Sequence, residues 1–384
     1  MFRAQSHDHG AGQQPAPDVA MVHTASPGWP ADLKPREWRA TTLRWSMATS
    51  GSMAGVELII SMSSRQDGLH HPGCFVSQFV SQEIRTMLSA SSAPAPSLQL
   101  RDGRTLTWQC YGDDAGRPLL VFHGFPGCHV QAALIGDAAR RAGVRLIAPD
   151  RPGFAGSTPD PDRTILSWVR DVEQLAAHLS LLRFGVLGIS CGGAYALACA
   201  HEIGERLDYV GLVAGMGPMD VPAIRRGQHP ALKVLFGLSR LHPRLVTPML
   251  RMDQKMFGID PMRALQRLAS MMTAPDQAFL RTHVAEAETF ARSLSVAYRQ
   301  GIDGAMSEAA LIARPRGFEL ADIRIPVHVY QGGHDRNVPP DMGEYIARHI
   351  KLSRYRFFPD EGHLSIVSNA ADEYLEDFVA SPQQ

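Results

Sequence analysis

Phe184-Gly185-Val186-Leu187-Gly188-Ile189-Ser190-Cys191-Gly192, continued by Gly193 and Ala194-Tyr195-Ala196-Leu197-Ala198-Cys199-Ala200, is the stretch that decides the fold. The first four residues form an apolar run that reads as a buried strand, and the last seven are helix formers. Between them stands Gly-x-Ser-x-Gly. A strand that enters a helix through this pattern makes a turn too tight for side chains beside the serine, so glycine flanks it at both ends. The turn lifts the Ser190 oxygen out at the top of the sheet. The following helix aims its N-terminal N–H groups at the spot where negative charge would develop. The bare five-residue pattern is a weak signal. Its strand–helix setting, and the partners found further along the chain, make it a strong one.

Outward from this turn, strands and helices alternate. Leu98-Gln99-Leu100 and Leu106 to Tyr111 read as a hairpin turning on Asp102-Gly103. Pro118 to Phe122 and Arg145 to Pro149 are apolar strands, with a helix expected over Val130 to Ala142. Thr164 to Leu181 is an amphipathic helix, because Ile165, Val169, Val172, Ala176 and Leu179 share one stripe. Tyr209 to Val213 is the next strand. The alternation stops over 219–318, which reads as several helices. Met262, Leu265, Leu268, Ala269 and Met272 line one of them; Phe290, Leu294 and Ala297 line another. It resumes with the strand Val327 to Tyr330, the helix Asp341 to Lys351, the strand Arg354 to Phe358 and the helix Asn369 to Val379. A βαβ rhythm of this kind predicts a mostly parallel sheet of eight strands, hairpin included, with helices on both faces.

The composition narrows the classes of function. Lys plus Arg equals Asp plus Glu, 38 each, which argues against nucleic acid or an anionic membrane as a partner. Five scattered cysteines (Cys74, Cys110, Cys128, Cys191, Cys199) do not read as a disulfide framework and suit a reducing, cytoplasmic compartment. No apolar run reaches transmembrane length, and the first residues do not read as a secretory signal. Residues 1–95 are rich in Ser, Gly, Pro, His and Gln. They read as a poorly ordered extension ending in the linker Ser89 to Pro96, with one short helix around Phe75 to Leu88. His7, His9, His70 and His71 show no metal-site spacing. Gly215-x-Gly217 lacks the third glycine and the helix of a dinucleotide fingerprint, so neither a metal nor a cofactor is expected.

A serine needs a base within hydrogen-bond reach, and the base needs an acid to fix its tautomer. In an open α/β sheet these groups sit on loops at the carboxyl ends of strands. After Val327 to Tyr330 comes Gln331-Gly332-Gly333-His334-Asp335; after Arg354 to Phe358 comes Pro359-Asp360-Glu361-Gly362-His363. Asp335 and His363 are therefore the expected acid and base for Ser190. Oxyanion donors are expected at the Cys191 N–H and at the Phe125 N–H in His123-Gly124-Phe125-Pro126-Gly127, since Pro126 has no N–H to give.

Over residues 97–380 the chain resembles the α/β-hydrolase superfamily. The resemblance rests on the His-Gly-x-Pro-Gly loop, on Asp150-Arg151-Pro152-Gly153-Phe154-Ala155-Gly156-Ser157, on the Gly-x-Ser-x-Gly turn and on both late loops. It implies a core of 96–218 and 319–384 and a helical cap, or lid, of 219–318 inserted after the sixth strand. It also offers Asp220 as an alternative acid, because some relatives carry the acid after that strand. The implied activity is cofactor-independent serine hydrolysis of a small ester-like substrate. Amide or proline-iminopeptidase-type cleavage, C–C bond hydrolysis and acyl transfer share the same triad and remain alternatives. A non-catalytic receptor or scaffold is the alternative of another class. Epoxide hydrolysis and dehalogenation are disfavoured, since those relatives carry aspartate where this chain has Ser190.

Overall fold

The computed structural model describes the backbone of residues 41–49 and 52–60, and residues 95–382 throughout. The chain divides into two units, Met1–Ser91 and Ser92–Gln384. In the first, β1 (Thr41–Thr49) pairs antiparallel with β2 (Ser52–Ile60) in a sheet of their own, with Thr41 opposite Ile60. The sequence reading expected no strands there. Leu43 and Trp45, and then Val56, Leu58 and Ile60, nevertheless follow the two-residue period of a strand. The expected helix around Phe75 to Leu88, the four N-terminal histidines and Cys74 lie outside the described residues.

The second unit is built on β3 (Ser97–Gln99), β4 (Thr105–Gly112), β5 (Arg117–Phe122), β6 (Val144–Pro149), β7 (Phe184–Ile189), β8 (Leu207–Val213), β9 (Val327–Gly332) and β10 (Ser353–Phe358). They form one eight-stranded sheet in the order β10-β9-β8-β7-β5-β6-β4-β3. Only the pairings β3–β4 and β4–β6 are antiparallel. The hairpin turns as expected at Asp102-Gly103, where Gly103 takes φ +88° and Asp102 Oδ1 accepts the Arg104 N–H.

Successive strand residues point to opposite faces, so an apolar run feeds two cores. Leu120, Phe122, Val186, Val210, Leu212 and Val329 face α2 (Ser167–His178), α3 (Gly192–Glu202) and α10 (Pro340–His349). Leu119, Val121, Leu187, Ile189 and Tyr330 face α1 (Gly136–Arg141) and α12 (Ala371–Ala380). The helix expected from Val130 splits in two: His129–Ile135 winds as a 3-10 segment before α1 begins. Its start is pinned, because the Asp150 carboxylate accepts the His129 N–H and the Gln131 side chain reaches back to Gly124.

Between β8 and β9 the chain is helical. It holds α4 (Pro230–Leu241), α5 (Thr247–Ile259), α6 (Pro261–Ala269), α7 (Ala274–Thr282), α8 (Val284–Ala297) and α9 (Asp303–Ile312). Phe257, Leu265, Ala287, Ala291 and Leu294 make a small core within this insertion, with Met256, Met262 and Met272 packed against it. Leu235, Val246, Leu250 and Tyr298 pack instead on Val130 and Phe154 of the sheet unit. These methionines are helix-packing residues. Among the described residues no helix is long and apolar enough to cross a membrane.

Candidate active site

Ser190 lies between β7 and α3 with φ +54°, in the left-handed region. That conformation costs a non-glycine residue about 1–2 kcal/mol. Three backbone hydrogen bonds hold it there: Ser190 N–H to Val213 O at 3.0 Å, and Gly193 N–H and Met216 N–H to Ser190 O at 3.0 and 2.9 Å. The glycines are required by close approach. A Cβ on Gly188 would stand 2.6 Å from Gly192 O, and one on Gly192 would stand 2.1 Å from Phe122 O.

His363 follows β10, and its Nε2 lies 3.0 Å from Ser190 Oγ. Its Nδ1 lies 2.7 Å from Asp335 Oδ2, on the loop after β9. Asp335 Oδ1 accepts the Asn337 and Val338 N–H groups, each at 2.8 Å. A carboxylate at Asp335 keeps the proton on His363 Nδ1, which leaves Nε2 free to accept from the serine hydroxyl. Burial by itself would push the His363 pKa down. The Asp335 charge and hydrogen bond, with Asp276 adding to them, reverse this and hold it above the ordinary value. Burial also pulls the Asp335 carboxyl upward, against the stabilising imidazole. Asp220 stands apart from this chain of bonds: it is exposed on the loop after β8, and its charge acts on Arg316.

Phe125 and Cys191 flank the serine. An added Cβ on Gly124 would come 3.3 Å from Ser190 Cβ, which measures how closely the Phe125 loop approaches. Neither the Phe125 nor the Cys191 N–H donates to a backbone acceptor among the described residues. Gln131 braces the loop by accepting from Gly124 N–H at 2.7 Å and donating to Pro126 O at 3.2 Å. His123 is buried, and its pKa is driven well down by burial and by the Arg151 charge. Its Nδ1 contacts Gly124 O at 2.8 Å and its Nε2 accepts from Arg151 N–H at 3.3 Å. That is the bonding of a neutral bracing residue. The Cys191 thiol is pushed up by burial and lies 3.7 Å from Met216 Sδ, so it is not an activated nucleophile.

Two acidic residues of the insertion enter the site without having been expected. Glu308 of α9 is completely buried and pairs with both Arg151 and Arg163. Arg151 donates onward to His123 O at 2.6 Å and Gly124 O at 3.1 Å, so Glu308 is tied to the Phe125 loop. Its signal was present in the sequence, because a lone acid stands in the apolar stripe of Ala305, Ala309 and Ile312. Asp276 of α7 bonds the His363 loop across 87 residues. No local pattern announces such a contact. As for metal ligands, Cys128, His129 and Asp150 approach one another within 4.8 Å. The Asp150 carboxylate is already engaged by His129 N–H, His129 Nδ1 and the Thr107 hydroxyl, which fits a bracing role.

Removing one partner from a buried ion pair strands the other charge, at a cost of about 3–5 kcal/mol. Glu308→Gln leaves Arg151 and Arg163 without their counter-charge. We expect urea unfolding to show a loss of that size. A loss below about 1 kcal/mol, the level of an exposed pair, would mean that the two guanidinium groups do not depend on Glu308.

The family model described as alpha/beta hydrolase fold matches residues 117–370, and the chain belongs to this family. Its fold is that of the α/β hydrolases. A proline iminopeptidase from Xanthomonas citri is 35% identical over 111 residues, 28% of this chain and 34% of the relative. The match thus spans about a third of that relative's length. A 2-hydroxy-6-oxononadienedioate/2-hydroxy-6-oxononatrienedioate hydrolase from Paraburkholderia phymatum is 28% identical over 296 residues, 72% of this chain and 92% of the relative. Among solved structures, an esterase from Thermogutta terrifontis is similar in fold. Its TM-score is 0.54 at 24% identity, covering 75% of this chain and 100% of the other.

Proposed function

We propose that the chain is a cofactor-independent serine hydrolase that cleaves carboxylic esters through an acyl-enzyme. The observation that carries this reading is the continuous set of hydrogen bonds Ser190 Oγ–His363 Nε2 and His363 Nδ1–Asp335 Oδ2, at 3.0 and 2.7 Å. Ser190 Oγ attacks the ester carbonyl carbon while His363 Nε2 takes its proton. Negative charge on the carbonyl oxygen is met by the Phe125 and Cys191 N–H groups, aided by the N-terminus of α3. The C–O bond then breaks, and His363 returns the proton to the leaving alkoxide. Water, deprotonated by His363, attacks the acyl carbon, and collapse of the second tetrahedral intermediate regenerates Ser190.

The insertion packs apolar side chains against the donor loop, where the Phe125 ring lies 6.2 Å from that of Phe236, buried on α4. Apolar surroundings of this kind suit a small to medium apolar substrate. Residues 219–318 act in this reading as the lid over the site. The scattered, unpaired Cys110, Cys128, Cys191 and Cys199 suit a reducing cytoplasm.

The test is a fluorophosphonate probe with the adduct mapped by mass spectrometry, followed by a panel of p-nitrophenyl esters, an N-terminal proline amide and a vinylogous diketone. We expect stoichiometric labelling at Ser190, absent in His363→Ala, and turnover highest on the esters. Amide or diketone turnover far above ester turnover would replace the substrate class. A folded protein without adduct or turnover would favour the receptor or scaffold reading.

A further inference from the structure

Asp276 stands in the first turn of α7, inside the helical insertion, and is only 3% exposed. Its Oδ2 accepts the His363 N–H at 3.1 Å, and its Oδ1 accepts the Leu364 and Ser365 N–H groups at 2.9 and 3.0 Å. The Thr273 hydroxyl donates to Oδ2 at 3.0 Å and steadies the carboxylate. Leu364 caps the short helix α11 (Ser365–Asn369) and His363 precedes the cap, so none of the three N–H groups has an acceptor within that helix. One side chain from a distant segment therefore takes up three consecutive donors, beginning with that of His363 itself. The chain also makes room for it. A Cβ on Gly362 would lie 2.3 Å from Asp276 Oδ1 and 2.6 Å from Oδ2, so glycine before His363 is what lets the carboxylate seat.

We infer that Asp276 is a positioning residue, which holds the His363 imidazole in register with Ser190 by gripping its backbone from the insertion. The inference rests on the hydrolase reading above. Asp276 touches neither Ser190 nor the place where a substrate carbonyl would sit; it acts through the His363 main chain. Because it is carried by the insertion, the register of His363 holds only while α7 is packed against α11. Shifts of about 1 Å in a reacting group cost up to about 100-fold in rate.

The experiment uses the full chain and p-nitrophenyl acetate. Asp276→Asn keeps the side-chain shape but turns an NH2 group toward one of the three donors and removes the charge. We expect kcat per folded molecule to fall by about 10- to 100-fold with KM little changed. The charged groups acting on His363 are Asp335 and Asp276, and both favour its protonated form. Removing one of them moves the acid limb of kcat/KM to lower pH. A merely structural role would lower the melting temperature and leave kcat per folded molecule in place.

Gly362→Ala is the second variant. Its methyl group drives the carboxylate from its seat while the charge remains, so kcat falls without the same shift of the acid limb. Combined with Asp276→Ala, its effect should be much less than additive, because the collision partner is gone. A folded Asp276→Asn protein with the parent's kcat would overturn the inference, whatever its acid limb. Should that variant fail to fold, a Gly362→Ala protein with the parent's kcat would overturn it equally. If the parent neither takes up fluorophosphonate nor turns over the ester, the hydrolase reading falls, and this inference with it.

Discussion

Ser190→Ala is expected to lower kcat on any ester that the parent hydrolyses by about a millionfold, the loss seen when a triad serine is removed. The reason is local. The variant loses only the Oγ that lies 3.0 Å from His363 Nε2. The backbone at φ +54° stays held by Val213, Gly193 and Met216, so the proposed donors, the Phe125 and Cys191 N–H groups, keep their places. The protein should fold, bind substrate and take up no fluorophosphonate. Residual catalysis over water comes from the donors and from binding alone. Ester turnover close to the parent's in a pure, folded variant would sink the mechanism.

The second large effect is at Asp335. Asp335→Asn should lower kcat by about 10⁴-fold, the loss expected when the histidine is held in the wrong tautomer. Asn337 and Val338 N–H both point at Oδ1, so an asparagine must keep its carbonyl oxygen there. Its NH2 group then faces His363 Nδ1 and donates to it. The imidazole proton moves to Nε2, the atom that should accept from Ser190, and the base is lost. The pH profile gives an independent check. His363 acts as base only when neutral, so activity is present above its pKa and fades as pH falls through it. Asp335 raises that pKa in the parent, so the residual activity of Asp335→Asn should fade at lower pH than the parent's does. Asp220→Asn should leave both kcat and the acid limb near the parent's. The reverse pattern, with Asp220→Asn as the damaging change, would make Asp220 the acid.

The fold was legible because its signals are short-range. The run Phe184 to Ile189 and the helix after Ser190 follow from apolar sequence and periodicity. The strands Val327 to Tyr330 and Arg354 to Phe358 could be found the same way, which placed Asp335 and His363 on loops at one end of the sheet. Element ends were less legible. The segment from His129 to Ile135 winds as 3-10 under the pull of Asp150 and Gln131, which act from outside it. The hairpin of β1 and β2 had a two-residue period in its sequence, masked by the polar composition around it.

By itself the sequence determined a mostly parallel α/β sheet and a serine on a tight glycine-flanked turn, with an aspartate and a histidine on later loops in a readable order. These follow from periodicity and turn chemistry, which act over a few residues. The sequence already favoured Asp335 and kept Asp220 as an alternative. The tertiary structure put Asp335, and not Asp220, in hydrogen-bond contact with His363, because that pairing is made by loops meeting in space. It alone brought Glu308 to Arg151 and Asp276 to the N–H of His363. A buried carboxylate must find donors wherever the packed chain offers them. For Asp276 that place is 87 residues away in sequence and in hydrogen-bond contact in the fold.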